Sequence, residues 1–155
     1  MRPGLTVRED DLEGVQVRDL LALHMAGMHA HTPAGQVHAL DLSGLQRPNI
    51  TVFTAWDAEQ IAGIGALKQQ GEGQAEVKSM RTHPDFLRQG VAAALLERII
   101  AEARTGGARR LSLETGTGEA FEPALMLYRR RGFVDCGPFG DYAPTGFSQF
   151  LHLDL

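Results

Sequence analysis

The sequence contains a single cysteine, Cys136, so no disulfide can form within one chain. Secreted domains commonly rely on disulfides, and a lone thiol favours a cytoplasmic location. No apolar run reaches the length of about 18 residues that a membrane helix needs, and no apolar signal segment follows the first residues. We therefore expect a cytoplasmic protein that does not contact a membrane.

Basic residues are also scarce. The chain has 15 Lys and Arg against 19 Asp and Glu, which gives a formal net charge of −4. Nucleic-acid binding needs a basic face, so we expect no nucleic-acid partner, whereas an acidic protein can host a cationic amine. The 155 residues, 43% of them hydrophobic, predict a single domain spanning residues 1–155 with a substantial core.

The hydrophobic pattern predicts the element order β-α-β-β-β-α-β-α-β-β, an α/β chain around one mixed sheet. We expect six to seven strands flanked by about four helices, the shortest of them a single turn at residues 41–45. The predicted strands are residues 5–8, 50–56, 61–68, 74–82, 110–115, 132–136 and 147–153. The predicted longer helices are residues 11–30, beginning at the acidic pair Asp10-Asp11, 91–105 and 119–131.

Gly90 separates an extended run from a helical one. Residues 74–82 read as a strand, and apolar residues recur at helical spacing from Val91 to Ala103. A helix N-terminus offers unpaired backbone N–H groups and a positive dipole end, and a glycine lets the backbone approach a bulky anion. The junction predicts a phosphate-binding site, although a glycine between a strand and a helix is more often a plain turn.

Two motifs resemble segments of the GCN5-related N-acetyltransferase (GNAT) superfamily, and the predicted order of elements resembles its fold over essentially the whole chain. Gly90, Val91 and Ala92 match the second half of its Gln/Arg-x-x-Gly-x-Gly/Ala segment, while Leu87 replaces the Gln or Arg. Ala124, Tyr128, Gly132 and Phe133 match its Asn-x-x-Ala-x-x-x-Tyr-x-x-x-Gly-Phe segment, while Phe121 replaces the Asn. The resemblance implies the GNAT fold and an acetyl-CoA-dependent N-acetyltransferase that uses no metal.

The resemblance also implies where acetyl-CoA binds. The strand before Gly90 is expected to separate from its neighbour, so that its backbone can bind the acetyl carbonyl and the pantetheine arm, while amides from Gln89 to Ala93 hold the pyrophosphate. The implied cofactor-binding residues are Met80, Arg81, Thr82, Arg88, Gln89, Gly90, Val91, Ala92, Ala93, Ala124 and Tyr128.

Tyr128 and Glu76 are the implied catalytic residues. In the family, a tyrosine at the position of Tyr128 protonates the leaving thiolate, and some members hold a general-base glutamate at the offset of Glu76. Alternatives stay open for both residues. Tyr128 could be a half-buried core aromatic, Glu76 could pair with Lys78 or Arg81, and Glu114 or water could be the base.

Six histidines occur in the chain, and several lie close together in the sequence between residues 24 and 38. No cysteine joins them, so we expect no metal site, because zinc needs a fixed tetrahedral ligand set. In GNAT proteins the region between the first two helices forms one wall of the acceptor pocket. His31 and His38 are therefore candidate substrate-binding residues, and Glu114, on the predicted strand 110–115, is a third.

The expected reaction moves an acetyl group to a primary amine of a small molecule or peptide by direct attack in a ternary complex. Cys136 lies outside both motifs, so no covalent nucleophile is needed. The alternative is a non-catalytic acyl-CoA sensor, which Leu87 and Phe121 would favour. We also predict a homodimer, because residues 147–153 form an apolar strand and follow an aromatic loop, expected to be exposed, that contains Phe139 and Tyr142.

Overall fold

The computed structural model describes residues 4–155, so Met1, Arg2 and Pro3 of the predicted domain lie outside the described residues. Within this range the strands are β1 (Leu5–Glu9), β2 (Ile50–Asp57), β3 (Gln60–Gly71), β4 (Gln74–Thr82), β5 (Arg110–Gly116), β6 (Val134–Cys136) and β7 (Ser148–Asp154). The α-helices are α1 (Val15–His31), α2 (Leu42–Leu45), α3 (Val91–Thr105) and α4 (Glu122–Arg131). Short 3₁₀ turns lie at Pro84–Phe86 and Glu119–Phe121.

The described strands form one mixed sheet in the order β1-β2-β3-β4-β5-β7-β6. β4 and β5 are parallel neighbours, and the other pairs are antiparallel. The chain between β4 and β5 contains α3, so the parallel pair among the described strands is joined by a helical crossover, as such a pair requires. The predicted α/β class, the mixed sheet of up to seven strands and the four helices are confirmed.

Helices cover both faces of the sheet. On one face, Val17 and Leu20 of α1 and Leu45 of α2 pack with Ile64 and Ala66 of β3. The larger core, on the other face, holds the apolar sides of α3 and α4 against alternate residues of the strands. Its fully buried members include Leu95, Ile99, Leu111, Leu113 and Leu125. Helices therefore cover both faces of the sheet, and the sheet separates the side chains on one face from those on the other.

Glycines at positions 63 and 65 bring α3 close to β3. A Cβ at Gly63 would lie 2.6 Å from Cγ1 of Val91, and a Cβ at Gly65 would lie 3.1 Å from Cδ1 of Ile99. Real Cβ atoms do not approach the first distance, so a side chain at Gly63 would push the first turn of α3 off the sheet. These glycines belong to a strand, as predicted, and they fix the position of the α3 N-terminus.

The predicted start of the first helix is wrong. The helix begins at Val15, whereas Asp10 and Asp11 form turns before it. One carboxylate oxygen of Asp10 accepts a hydrogen bond from Leu12 N–H at 2.8 Å, and the other accepts from the Thr54 hydroxyl at 2.9 Å. Leu12 then adopts a φ of 66°, which interrupts helical geometry. The aspartate side chain thus competes with the helix for backbone hydrogen bonds.

The prediction of one helix over residues 119–131 is also corrected. A 3₁₀ turn covers Glu119–Phe121, and the α-helix begins at Glu122 with Pro123 in its first turn, where the missing proline N–H costs nothing. The final strand runs one residue later than predicted and lies between β5 and β6, paired on both sides. Within residues 4–155, no helix combines the length and apolar character needed to cross a bilayer.

Candidate active site

β4 and β5 separate soon after they begin. Their Cα partners run from Gln74 with Arg110 to Glu76 with Ser112, although β4 continues to Thr82. The expected separation of these strands is therefore present, and it opens a gap beside the second half of β4. The N–H of His83 donates to Ala62 of β3 at 2.8 Å. By alternation along the strand, the backbone of Thr82 faces the gap instead.

A β-bulge distorts β4 within this gap. Arg81 lies opposite Ile64 of β3, but Lys78 lies opposite Ala66, so β4 has one extra residue between these two pairs. Ser79, inside the bulge, has a φ of 58°, a left-handed conformation that is uncommon outside glycine. The bulge therefore reverses the alternation of side chains along the remainder of β4.

The reversal separates Met80 from Arg81. A Cβ at Gly65 would lie 2.6 Å from Sδ of Met80, which places that side chain on the α3 face. The Arg81 side chain lies on the other face, where its Nε donates to Nδ1 of His24 in α1 at 3.1 Å. The implied cofactor contact of Arg81 therefore stays a prediction, because its side chain lies on the face opposite α3.

The N-terminus of α3 carries free backbone donors. Gly90 is its N-cap with a φ of 81°, and no side chain caps the helix. The first backbone bond of the helix runs from Ala94 N–H to Gly90 C=O at 3.0 Å. The N–H groups of Val91, Ala92 and Ala93 therefore lack acceptors within the helix and offer three donors to an anion. These residues are adjacent, as the sequence motif requires.

The loop before this N-terminus is partly solvent-exposed. Arg88 is exposed and has a φ of 61°, while Nε2 of Gln89 donates to the Asp85 carbonyl at 3.4 Å. Leu87, the departure from the family motif, is 58% exposed and contributes no polar group. An anion at the helix terminus would thus meet backbone donors and a nearby arginine, but no side-chain donor at position 87.

Tyr128 is buried on α4, one turn after the partly buried Ala124. Its ring packs against Phe133 with a centroid separation of 5.6 Å. Burial raises the pKa of Tyr128 well above its ordinary value, so the phenol keeps its proton at neutral pH. Its hydroxyl makes no hydrogen bond to another described residue, and it is therefore available to a ligand.

Glu76 is almost fully buried on the α1 face of β4, at 2% exposure. Its carboxylate accepts hydrogen bonds from Gln70 Nε2 at 3.0 Å and from the Tyr142 hydroxyl, and it forms an ion pair with Lys78 at 3.2 Å. The pairing with Lys78 that the sequence left open is present, while Arg81 pairs elsewhere. These contacts hold the Glu76 carboxylate in a fixed position. Glu76 is also the last residue of β4 that pairs with β5.

A second carboxylate lies on the same face. Oε2 of Glu114 accepts from the Ser148 hydroxyl at 2.8 Å and lies 3.4 Å from Nδ1 of His38. Nδ1 of His38 is buried and has no hydrogen-bond partner. Two of the three predicted substrate-binding residues therefore meet in space.

His31, the third of these residues, lies at the end of α1. It lines a cleft of about 450 Å³ with residues 117–121, which follow β5 and lead into α4. The predicted acceptor wall therefore has two parts: the His38–Glu114 contact and the cleft beside His31. The sequence could not separate these two parts of the wall, because the loop after α1 has no regular hydrophobic pattern.

Tyr142 is a residue of the candidate site that sequence reasoning missed. It belongs to the loop of residues 137–146, which we expected to be an exposed aromatic loop, but its ring is half-buried. Its ring packs at 5.0 Å from that of His38, and its hydroxyl also accepts a hydrogen bond from Lys78 at 2.8 Å. Burial and Glu76 raise the pKa of Tyr142 far above its ordinary value, so it remains a phenol. The loop thus closes over Glu76 and joins the two carboxylate sites.

The same loop bears on the predicted homodimer. Phe139 and Tyr142 pack on each other at 5.1 Å and on Phe150 of β7 at 5.9 and 5.7 Å. The apolar residues that motivated the dimer therefore have partners within one chain. The oligomeric state stays a prediction. No cluster of three or more His, Cys, Asp and Glu that could hold a metal occurs within residues 4–155.

Comparisons with known proteins agree with this architecture. The Acetyltransferase (GNAT) family matches residues 17–133. The chain is 45% identical to the uncharacterized N-acetyltransferase YedL of Escherichia coli (strain K12), over 97% of this chain and 94% of that protein. It is 38% identical to an IAA acetyltransferase of Azospirillum brasilense, over 99% of both.

Solved structures share the fold along the whole chain. A candidate acyl-CoA N-acyltransferase from Klebsiella pneumoniae superposes with a TM-score of 0.82 at 26% identity, over 97% of both chains. A Bacillus subtilis acetyltransferase, solved in complex with CoA, superposes with a TM-score of 0.73 at 19% identity, over 97% of this chain and 99% of that one. The resemblance read from the two sequence motifs is confirmed: the chain belongs to the GNAT acetyltransferase family and is an N-acetyltransferase.

Proposed function

We propose that the protein transfers the acetyl group of acetyl-CoA to a primary amine of a small molecule or peptide, by direct attack in a ternary complex. The observation that carries the proposal is the gap between β4 and β5. It opens beside free helix donors at Val91 on one face and beside the carboxylates of Glu76 and Glu114 on the other. An anionic donor and a cationic acceptor can thus approach the gap from opposite faces.

The α3 N-terminus fits the pyrophosphate of acetyl-CoA. Three backbone N–H groups, at Val91, Ala92 and Ala93, point out of the helix toward its positive dipole end. The related Bacillus subtilis structure contains CoA, which supports the same ligand here. Because these contacts come from the backbone, the loss of a Gln or Arg side chain at Leu87 removes one contact and leaves the others.

β4 supplies the groups nearest the reacting carbonyl. The backbone of Thr82 faces the gap, and Met80, two residues earlier, has the same direction along the strand. A strand edge with unpaired N–H groups can bind the acetyl oxygen and stabilise the negative charge that develops on it. The bulge at Ser79 sets the direction of these groups, so the left-handed conformation of Ser79 contributes to the geometry of the proposed site.

Tyr128 would donate a hydrogen bond to the leaving sulfur. The raised pKa of Tyr128 keeps the phenol protonated, but it also makes the phenol a weaker acid than an ordinary tyrosine. The role is therefore stabilisation of a thiolate by a buried donor, completed by proton transfer as the bond to carbon breaks. The Tyr128 side chain is buried, and its hydroxyl has no hydrogen-bond partner among the described residues, which suits this role.

Glu76 would receive the proton of the acceptor ammonium, directly or through water. Its present bonds to Lys78 and Tyr142 must then rearrange, since a carboxylate that accepts a proton loses part of its attraction for Lys78. Glu114 is the competing base, with His38 at 3.4 Å as a further proton acceptor. The two carboxylates lie on the same face, so either can serve an amine entering from the α1 face.

The test is thiol release from acetyl-CoA in the presence of a panel of amines: amino acids, polyamines, aminoglycosides and peptides with free N-termini. We expect one class to raise thiol release far above the amine-free rate and to gain the mass of an acetyl group. Binding of acetyl-CoA without stimulation by any amine would contradict the proposal and support the non-catalytic sensor.

A further inference from the structure

Arg81 carries a cationic group to the acceptor side of the sheet. The bulge at Ser79 turns this side chain toward α1, onto the face that also carries Glu76 and Lys78. Arg81 directly follows Met80, whose backbone faces the gap where the acetyl carbonyl is proposed to bind. The Arg81 side chain therefore begins one residue from the proposed binding site of the acetyl carbonyl.

The guanidinium is held in a defined place. Its Nε donates to Nδ1 of His24 at 3.1 Å, and its Nη2 lies 3.5 Å from the His24 carbonyl oxygen. The group also lies flat against Gly27, where a Cβ would be 2.8 Å from Nη2 and 3.3 Å from Nη1. The absence of a side chain at position 27 lets the guanidinium take this position against α1.

Among residues 4–155, no carboxylate pairs with Arg81. Its hydrogen-bond partner, His24, is buried, and burial together with Arg81 lowers the pKa of His24 to about 4, so the imidazole is neutral at physiological pH. Burial lowers the pKa of Arg81 as well, and no anionic neighbour opposes this effect. A partly buried cation without a counter-charge is costly, because a buried charge is normally paired.

Lys78, another cation of β4 on this face, differs in this respect. It has Glu76 at 3.2 Å and the Tyr142 hydroxyl at 2.8 Å. Arg98, a half-exposed arginine of α3, pairs with Glu102 at 3.3 Å. In Arg81 the nitrogen Nη1 makes no hydrogen bond to a described residue, so the Nη1–Nη2 edge of the guanidinium keeps free N–H donors. That edge matches a carboxylate in two parallel hydrogen bonds.

We propose that the acceptor is an amino acid, and that Arg81 binds its carboxylate while the amine reaches the acetyl group beside Met80. This inference rests on the proposed function and names its substrate class. The phosphates of CoA are excluded as the partner of Arg81, because the donors of Val91, Ala92 and Ala93 lie on the opposite face of the sheet. The position of Arg81 next to Met80 favours acceptors with few bonds between nitrogen and carboxylate.

The experiment compares amino acids with their carboxamides, which keep the amine and lose the negative charge. The panel contains α-amino acids, β-alanine and γ-aminobutyrate, each paired with its amide, and kcat/KM is measured by thiol release. For the best acceptor, we expect the wild type to favour the acid at least tenfold. In Arg81→Gln the acid-to-amide ratio should fall close to one. In Arg81→Lys, which keeps the charge without the fork, it should be intermediate.

Arg98→Gln is the matched control, because Arg98 is also a half-exposed arginine but lies over Phe53, away from the gap. This variant should keep the wild-type ratio of kcat/KM for the acid to kcat/KM for the amide. A wild-type enzyme that turns over every amide as fast as its acid would overturn the inference, and so would an Arg81→Gln enzyme with an unchanged ratio. The first outcome needs no variant and stands even if the Arg81 variants do not fold.

A separate binding measurement distinguishes this inference from the proposed function. If no amine is turned over, the proposed function fails, and calorimetry with N-acetyl amino acids and their amides then decides the carboxylate site. We expect the acids to bind the CoA-loaded wild type at least tenfold more tightly than the amides, and this preference should vanish in Arg81→Gln. Equal binding of acids and amides to the wild type would overturn the site.

Discussion

Replacing Gly90 with glutamate places a negative charge at the donor end of α3. Gly90 has a φ of 81°, so any L-residue there is strained by about 1–2 kcal/mol. Gly90→Gln is the matched control, since it has the same shape and backbone strain but no charge. The difference in acetyl-CoA affinity between the two variants therefore isolates the electrostatic term at the predicted pyrophosphate site.

The magnitude follows from Coulomb's law. At about 6 Å in bulk water, each unit charge on the pyrophosphate would repel the glutamate by about 0.7 kcal/mol. Two charges give about 1.4 kcal/mol at low ionic strength, which is a tenfold loss of affinity, and the lower effective permittivity near a protein surface increases this value. The folded state should not suffer from the charge itself, since an acidic residue at a helix N-terminus is favourable.

Calorimetry of acetyl-CoA binding measures the difference directly. We expect Gly90→Glu to bind at least tenfold more weakly than Gly90→Gln, and the gap to narrow at about 1 M salt, where the Debye length is about 3 Å. Equal affinities of the two folded variants at low ionic strength would show that no phosphate lies at this terminus.

Further predictions concern the proton transfers, the buried histidine and the assembly. Tyr128→Phe should lower kcat by roughly 10²–10⁴ with little change in KM for acetyl-CoA, and a wild-type rate from about pH 6 to 9 with chemistry rate-limiting would make Tyr128 only a core aromatic. Glu76→Gln should show a defect that shrinks as pH rises and free amine becomes abundant; a pH-independent defect would argue for a structural role. The pKa of His24 is lowered to about 4 in the folded protein. As the pH falls, the unfolded chain therefore binds a proton at His24 before the folded protein does. About 2 kcal/mol of unfolding free energy should be lost between about pH 7 and 5, and urea titrations should show a smaller loss in His24→Gln. Light scattering should show a homodimer at tens of micromolar, and a monomer would refute it.

Much of the fold could be predicted because local signals mark its elements. The predicted bounds of β4 agree with the structure, since glycines at positions 71 and 73 mark the preceding turn. α3 begins and ends where predicted, between Gly90 and Gly106. In both cases the residues that end an element are adjacent to it in the chain, so a sequence pattern is enough to place it.

The start of α1 could not be predicted, because its cause is distant in the sequence. Asp10 reads as a favourable first residue of a helix, but the hydroxyl of Thr54, 44 residues away, holds its side chain in a turn. A tertiary contact thus overrides the local preference. The same limit applies to Tyr142, which a Gly- and Pro-rich loop brings onto Glu76 across 66 residues.

Part of the candidate site depends on a backbone irregularity that no pattern reveals. A strict alternation along β4 would place Glu76, Lys78 and Met80 on one face. The bulge at Ser79 turns Met80 to the other face and Arg81 to the acceptor side. Serine gives no signal for a left-handed conformation, so the Arg81–His24 contact could be found only in the structure.

The central claim is direct transfer of the acetyl group to an amine while both substrates are bound. Initial rates over a matrix of acetyl-CoA and amine concentrations test it most directly. The account predicts intersecting lines in double-reciprocal plots, and no acetyl group on the protein, by intact mass, after incubation with acetyl-CoA alone. Parallel lines together with a covalently acetylated protein would show a ping-pong reaction through an acetyl-enzyme and would contradict the account.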